Sequence, residues 1–226
     1  EMQKNGFVVI ENFIEREKCI RIIKKIDEIL KKYPKKIWCD EISSDCRILG
    51  AEILNEDFLS FFNNDMIKKI GEVYCGFKLK NVMTMANKTS YVIKNEGSGA
   101  GWHKDAYRRQ FKSLLYLNNV NDDNGAFELV KKSNSLLSIF NVSTKLNKSI
   151  DNTRFSDDEI YRTINQNRLK RIYGEAGTLI LFDPSLIHRG SPLKNFTRYA
   201  LTNYYESLKY YDDFVERIKV KKFKYD

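Results

Sequence analysis

The chain contains two histidines, His103 and His188, and both stand where a metal could be held. His103 lies in Gly101-Trp102-His103-Lys104-Asp105, and His188 closes Asp183-Pro184-Ser185-Leu186-Ile187-His188. Asp105 sits two residues past the first histidine, and on an extended strand positions i and i+2 share a face. Two imidazoles and a carboxylate are the donor set of the facial triad that binds non-haem Fe(II) and leaves further coordination positions open. The spacing therefore predicts that His103 and Asp105 grip one ion from one strand, with His188 delivered by a strand folded back against it. Either histidine alone reads as an ordinary hydrogen-bonded polar residue. The pair, with Asp105 at this offset and Arg198 ten residues after His188, reads as a metal centre.

The elements that must position these residues fall into two parts. Residues 6–10 form a short apolar run, and 15–32 follow the helical period with Ile20, Ile23, Ile26, Ile29 and Leu30 on one stripe. Pro34 stops that helix. Residues 35–56 read as loop with a short helix, and 57–62 and 65–75 as two short helices, the second closed by Gly76. Strand patterns then take over at 79–86, 88–94, 111–118, 126–130, 177–182 and 197–205. A glycine-rich link, 97–101, delivers Trp102 and His103; with no Gly-Lys-Ser/Thr after it, it is not a phosphate loop. Ser156-Asp157-Asp158-Glu159 is a capping box opening a helix to about residue 169, read as an insertion between strands.

The expected fold is mainly β with a helical N-terminal third, an antiparallel barrel or jelly roll with flanking helices. The simplest organisation is one domain over 1–226. In it, 1–78 act as mainly helical support, 79–206 form the core with a helical insertion at about 138–172, and 207–226 form a charged peripheral tail. Four cysteines without a CxxC pair argue against a disulfide framework or a structural zinc site. No apolar run approaches the ~20 residues of a membrane span and no secretory leader pattern opens the chain, so a reducing, cytoplasmic setting is expected. The net charge of +9 comes from lysines scattered through a Lys-, Asn- and Ile-rich composition. A compositional origin fits better than a nucleic-acid surface, though the charge also tilts the substrate toward an anionic small molecule.

The chain resembles the phytanoyl-CoA dioxygenase-like branch of the Fe(II)/2-oxoglutarate oxygenases. The resemblance is carried by Gly6-Phe7-Val8-Val9-Ile10 with the helix after it, and by Trp102-His103-Lys104-Asp105. It continues through Leu115-Tyr116-Leu117 leading to Asn124-Gly125-Ala126, and through Gly177-Thr178-Leu179-Ile180-Leu181-Phe182-Asp183 running into His188 and Arg198. It implies a cupin-like double-stranded β-helix, Fe(II) held by His103, Asp105 and His188, and 2-oxoglutarate as co-substrate. The implied reaction hydroxylates a small metabolite with release of succinate and CO2.

A dicarboxylate co-substrate needs a buried cation for its far end, and the planar guanidinium of Arg198 suits it; Arg189 is the alternative. Tyr116 and Lys112, on one face of the 111–118 strand, could share that carboxylate. Tyr107, Arg108 and Arg109 follow the ligands closely enough to meet substrate. The serine or threonine that related enzymes place near the arginine is missing, since Phe196, Ala200 and Gly190 occupy those positions. Thr178, Thr202 and Tyr116 remain as candidates. Asp105 fills the position that related halogenases leave small, which argues against halogenation. A nucleic-acid- or protein-modifying oxygenase and a non-catalytic metal-binding jelly roll are the other classes. Tyr204, where repair oxygenases carry a second arginine, argues against nucleic acid. A small-molecule partner is expected, and the oligomeric state stays open.

Overall fold

The computed structural model describes residues 1–219. Its strands are β1 (Phe7–Ile10), β2 (Trp38–Cys39), β3 (Asp45–Leu49), β4 (Leu79–Ser90), β5 (Trp102–His103), β6 (Lys112–Tyr116), β7 (Phe127–Val130), β8 (Arg154–Phe155), β9 (Leu169–Ile172), β10 (Leu179–Phe182), β11 (His188–Gly190) and β12 (Thr197–Ser207). Its helices are α1 (Met2–Asn5), α2 (Arg16–Lys32), α3 (Glu56–Phe62), α4 (Asp65–Cys75), α5 (Leu136–Leu146), α6 (Asp157–Thr163) and α7 (Tyr211–Lys219). The strands pair antiparallel into two sheets, ordered β1-β10-β6-β12-β4-β3-β2 and β8-β5-β11-β7-β9.

Alternation along the central strands builds the layers, because successive side chains leave a strand on opposite faces. Leu115, Leu179, Leu181 and Leu201 turn outward from the larger sheet, onto Cys19, Ile22, Ile26 and Ile29 of α2 and onto Phe58 and Ile67 of α3 and α4. Their neighbours Leu114, Tyr116, Ile180, Phe182 and Ala200 turn inward and meet Phe127, Leu129 and Ile172 of the smaller sheet. The two sheets thus face each other across an apolar layer, and the metal-binding candidates lie at one end of it.

Several expectations shift. The buried stripe of α2 is Cys19, Ile22, Ile26 and Ile29, while Ile20 is exposed; the helical period runs from Cys19 rather than from Ile20. The first 78 residues mix helix with strand: β1 borders β10 at one edge of the larger sheet, and β3 and β2 extend its other edge. Residues 38–49 are therefore a hairpin, not a loop. Two short arms gave too little alternation to read as strands. Cys39 and Cys46, register partners across that hairpin, are joined by a disulfide, whereas Cys19 and Cys75 are free and buried. The expectation drawn from the missing CxxC pair, against a disulfide framework, missed this one bond because the pairing depends on the hairpin register. In the predicted insertion the capping box forms as expected, with Ser156 and Glu159 bonding reciprocally. The helix it opens ends at Thr163, however, and the chain returns as β9, paired with β7. The described part of the charged tail is α7, and residues 220–226 lie outside the described residues. Among the described residues no helix is long and apolar enough to cross a membrane.

Candidate metal centre

His188 and His103 are direct register partners on β11 and β5, so pairing alone brings the two histidines to one spot. Their rings lie 4.4 Å apart between centroids. Asp105 follows β5 with Oδ1 3.4 Å from His103 Nε2, and one ligand atom from each of the three residues falls within 4.8 Å of the other two. His103 Nδ1 sits 2.9 Å from the Gly101 carbonyl and His188 Nδ1 2.8 Å from the Leu186 carbonyl. Each contact fixes the tautomer with the proton on Nδ1 and leaves the Nε2 lone pair for a cation. The glycine-rich link has a steric role here. Gly99 has φ +95, and a Cβ there would come within 2.4 Å of the His103 ring; only glycine lets the link pass over the imidazole.

The electrostatics suit a cation. Burial opposes ionisation of Asp105, but Lys112 and the two imidazoles outweigh it and hold its carboxyl well below the usual range. Burial, reinforced by the neighbouring His103, pushes the His188 imidazole down to about 3. Both groups are thus in their metal-binding protonation states at neutral pH. The sign of the pH dependence follows. Between pH 6.5 and about 3 the unfolded chain takes up a proton on His188 that the folded chain does not, so stability of the metal-free protein falls as pH drops through that window. Metal-free melting temperature should decline from pH 7 to pH 4.5, with a shallower decline in His188→Gln; equal slopes would contradict the buried neutral imidazole.

One loop, 183–187, orients two of the three candidate ligands. The Asp105 N–H donates to Pro184 O at 3.0 Å, and Leu186 O is the acceptor for His188 Nδ1. Asp183 anchors the loop. Fully buried, it accepts from Tyr74 Oη at 2.7 Å, Ser185 Oγ at 2.6 Å, Ser185 N at 2.9 Å and Asn134 Nδ2 at 3.0 Å. Partners that orient ligands are worth 10–100-fold in metal affinity. Asp183→Asn is therefore expected to weaken Fe(II) binding by roughly 10-fold or more, measured by competition with a metal indicator; unchanged affinity would assign Asp183 to the fold alone.

The triad opens into a cavity of about 700 Å3 between the sheets. Arg198 and Thr202, on β12, line it. Arg198 is 3% exposed, and burial lowers the pKa of its guanidinium. One Nη donates to the Gly125 carbonyl, yet Nε has no partner among the described residues. A Cβ on Gly190 would lie 2.8–2.9 Å from the Arg198 Nη atoms, which explains why no serine stands there. A buried guanidinium with a free donor edge fits a carboxylate.

The remaining sequence candidates are placed otherwise. Lys112 lines the cavity but pairs with Asp105 Oδ2 at 2.5 Å, at the metal end rather than beside Arg198. Tyr116 is fully buried; its hydroxyl donates to Ile172 O and accepts from Phe127 N, so it belongs to the inter-sheet layer. Arg189 stacks on Trp102 at 4.4 Å and pairs with Glu128 at 2.6 Å and Asp157 at 2.5 Å. Arg108 forks onto Glu206 at 2.8 and 2.5 Å, Arg109 donates to Tyr74 O, and Tyr107 lies in a separate small pocket against α5. None of these last three lines the cavity, because after Asp105 the chain turns away to bury Phe111. Thr178 is buried outside the cavity, against Gly174. Conversely Trp38, Arg47 and Asn87 do line it, and sequence reasoning passed over them. The alternation in Asp45-Cys46-Arg47-Ile48-Leu49, with Cys39 able to pair with Cys46, was the available signal.

The sequence matches the family model described as phytanoyl-CoA dioxygenase (PhyH) over residues 2–195. No curated protein sequence matches it. Among solved structures the chain is similar to the non-haem α-ketoglutarate-dependent epimerase SnoN from nogalamycin biosynthesis, with TM-score 0.68 and 12% identity over 91% of this chain and 80% of that one. It is also similar to EctD from S. alaskensis, with TM-score 0.69 and 14% identity over 92% of this chain and 75% of that one. A third is HygX from Streptomyces hygroscopicus with nickel, 2-oxoglutarate and hygromycin B bound, with TM-score 0.62 and 12% identity over 92% and 85%. At these identities the likeness is one of fold.

Proposed function

Because the chain belongs to the phytanoyl-CoA dioxygenase family, we propose that it is an Fe(II)- and 2-oxoglutarate-dependent oxygenase that hydroxylates a small molecule. The observation that carries the reading is the convergence of one ring nitrogen each from His103 and His188 and an Asp105 carboxylate oxygen within 4.8 Å, with the half-satisfied Arg198 lining the same cavity. The facing antiparallel sheets read as a jelly roll in a single domain. EctD with iron bound and HygX with nickel and 2-oxoglutarate share that architecture.

When bound, Fe(II) and 2-oxoglutarate would supply oxidative decarboxylation with O2, one oxygen atom going to succinate, with release of CO2, and the other to the substrate. The protein's part is binding, orientation and exclusion of competing reactions. His103, Asp105 and His188 would hold the metal, and a three-ligand set of this kind leaves further coordination positions for co-substrate. Lys112 occupies Asp105 Oδ2 and so leaves Oδ1, the oxygen nearer His103, for the metal. Arg198 takes the far carboxylate, and Thr202, four residues along the same strand and facing the same cavity, offers the second hydrogen bond that Ala200 cannot. Phe127 and Phe182, with ring centroids 5.6 and 5.4 Å from His188, give the reacting end an apolar wall. Asp105 fills the third ligand position, so the product expected is hydroxylated rather than halogenated.

The test is incubation of the iron-loaded protein with 2-oxoglutarate, O2 and pooled small metabolites, reading succinate and a mass gain of one oxygen. Succinate above the metal-free control together with that mass gain supports the reading. No succinate from pools of anionic, neutral and zwitterionic compounds would move the chain to a non-catalytic metal-binding role.

A further inference from the structure

We propose that Trp38, Arg47 and Asn87 form the substrate-recognition wall of the cavity and that the substrate is a small zwitterion. This rests on the oxygenase reading and names the substrate class for the same site. The three residues follow from register. Trp38 faces Arg47 across β2 and β3, Arg47 faces Asn87 across β3 and β4, and Asn87 faces Ala200 on β12. All but the small Ala200 line the cavity that holds the triad. Their row runs between the row carrying Arg198 and the row carrying Thr202, and it starts at Asn87, one strand away from Arg198.

Arg47 is a cation already fixed in place. Its Nε and Nη2 both donate to Asp45 Oδ2, at 3.0 and 2.5 Å, and its guanidinium stacks over the Trp38 ring at 4.7 Å. Among the described residues its hydrogen bonds run from Nε and Nη2 alone, so the Nη1 edge is available for an anionic oxygen at little cost in side-chain ordering. Beside it Asn87 presents the opposite need. It is 1% exposed; its Nδ2 donates to Thr89 Oγ1 at 3.0 Å and to Asp45 Oδ1 at 3.4 Å, while its Oδ1 has no partner among the described residues. A buried acceptor left unpaired is uncommon and calls for a donor. A charged donor and a bare acceptor on adjacent strands match a ligand carrying an anionic oxygen group and a cationic N–H group a few bonds apart. Glu41, exposed in the turn of the same hairpin, also lines the cavity and adds negative charge to it.

The charge balance of the cavity selects the same class. Five carboxylates and five Lys or Arg side chains line it, and Asp45–Arg47 and Asp105–Lys112 cancel as pairs. The metal and the dianionic co-substrate cancel as well. The chain's excess of positive charge is therefore not expressed here, and the lean toward a purely anionic substrate drawn from composition gives way to a dipolar one. Leu114, Phe127 and Phe182 leave the hydrocarbon part of such a molecule an apolar place beside the triad.

The test uses the full chain loaded with redox-silent Ni(II) and 2-oxoglutarate, titrated by calorimetry with three matched probe sets. Free α-amino acids serve as zwitterions, their N-acetyl forms as anions and their amides as cations. At least one zwitterion is expected to bind roughly 10-fold or more tighter than both of its single-charge forms, as a charge-assisted hydrogen bond would give. Removing Arg47 alone would strand the buried Asp45, so the double variant Asp45→Asn/Arg47→Met keeps the balance. It and Asn87→Leu should each lower zwitterion affinity roughly 10-fold with 2-oxoglutarate affinity unchanged. Trp38→Ala, at the exposed edge of the sheet, repeats the measurement with the core untouched and should also weaken the zwitterion. Equal binding of the three probe forms, no binding of any zwitterion, or variants that weaken 2-oxoglutarate instead would each overturn the recognition wall. Failure of wild-type protein to bind 2-oxoglutarate at all would instead bring down the oxygenase reading, and the wall with it.

Discussion

His188→Ala is expected to abolish stoichiometric Fe(II) binding and succinate formation while leaving a folded protein. The imidazole is buried between His103, Phe127 and Phe182, and two remaining ligands make a poor site for a cation that prefers three protein donors. Truncation also leaves a hole, which costs about 1–3 kcal/mol of stability. That is a tolerable loss, because the large apolar clusters on both faces of the main sheet do not include His188. Metal affinity and metal-free melting should therefore separate: the first collapses and the second moves by a few degrees. Equilibrium dialysis against Fe(II) under anaerobic conditions, beside a melting curve of the same sample, reads both. Full occupancy in the variant would remove His188 from the ligand set.

The second large effect belongs to Arg198. Arg198→Lys keeps the charge but loses the planar fork, and a lysine in that burial cannot both reach the Gly125 carbonyl and present a second donor edge. The apparent affinity for 2-oxoglutarate should drop by about 1.5–3 kcal/mol, or roughly 10–150-fold, with Fe(II) affinity unchanged. Calorimetric titration of 2-oxoglutarate into the Ni(II)-loaded variant checks it. Undiminished affinity would move the anchor elsewhere in the cavity, and Arg47 would be the first place to look, since Arg189 is held on the far face by Glu128 and Asp157.

What the sequence made legible was local. The His103–Asp105 offset is a property of three consecutive residues, and the strand leading to Asp183 is a continuous apolar run, so both could be read without knowing the fold. Arg198 could be singled out because its spacing from His188 lies within a short stretch of chain. The candidates that lie away from the cavity share one feature: their partners are remote. Arg108 finds Glu206, Arg109 finds Tyr74, and Tyr116 finds Ile172 and Phe127. Nothing near those residues in sequence announces that their hydrogen-bonding capacity is already used. The β2–β3 hairpin was missed for a related reason, because two- and five-residue arms carry too little alternation to outweigh loop. It nonetheless supplies Trp38 and Arg47 to the cavity. Asp183 was read as the end of a strand, and its role in holding the loop behind two candidate ligands appears only once Tyr74 and Asn134 are seen to converge on it.

The most direct measurement is anaerobic absorption spectroscopy of the protein titrated with Fe(II) and then 2-oxoglutarate. A 2-oxo acid chelating Fe(II) held by two imidazoles and a carboxylate gives a visible charge-transfer band. That band is expected to appear at one equivalent of each in the wild type, to need far more 2-oxoglutarate in Arg198→Lys, and to be absent in His188→Ala. A wild-type protein that binds Fe(II) but develops no band at saturating 2-oxoglutarate would contradict the assignment of this cavity as an Fe(II)/2-oxoglutarate site.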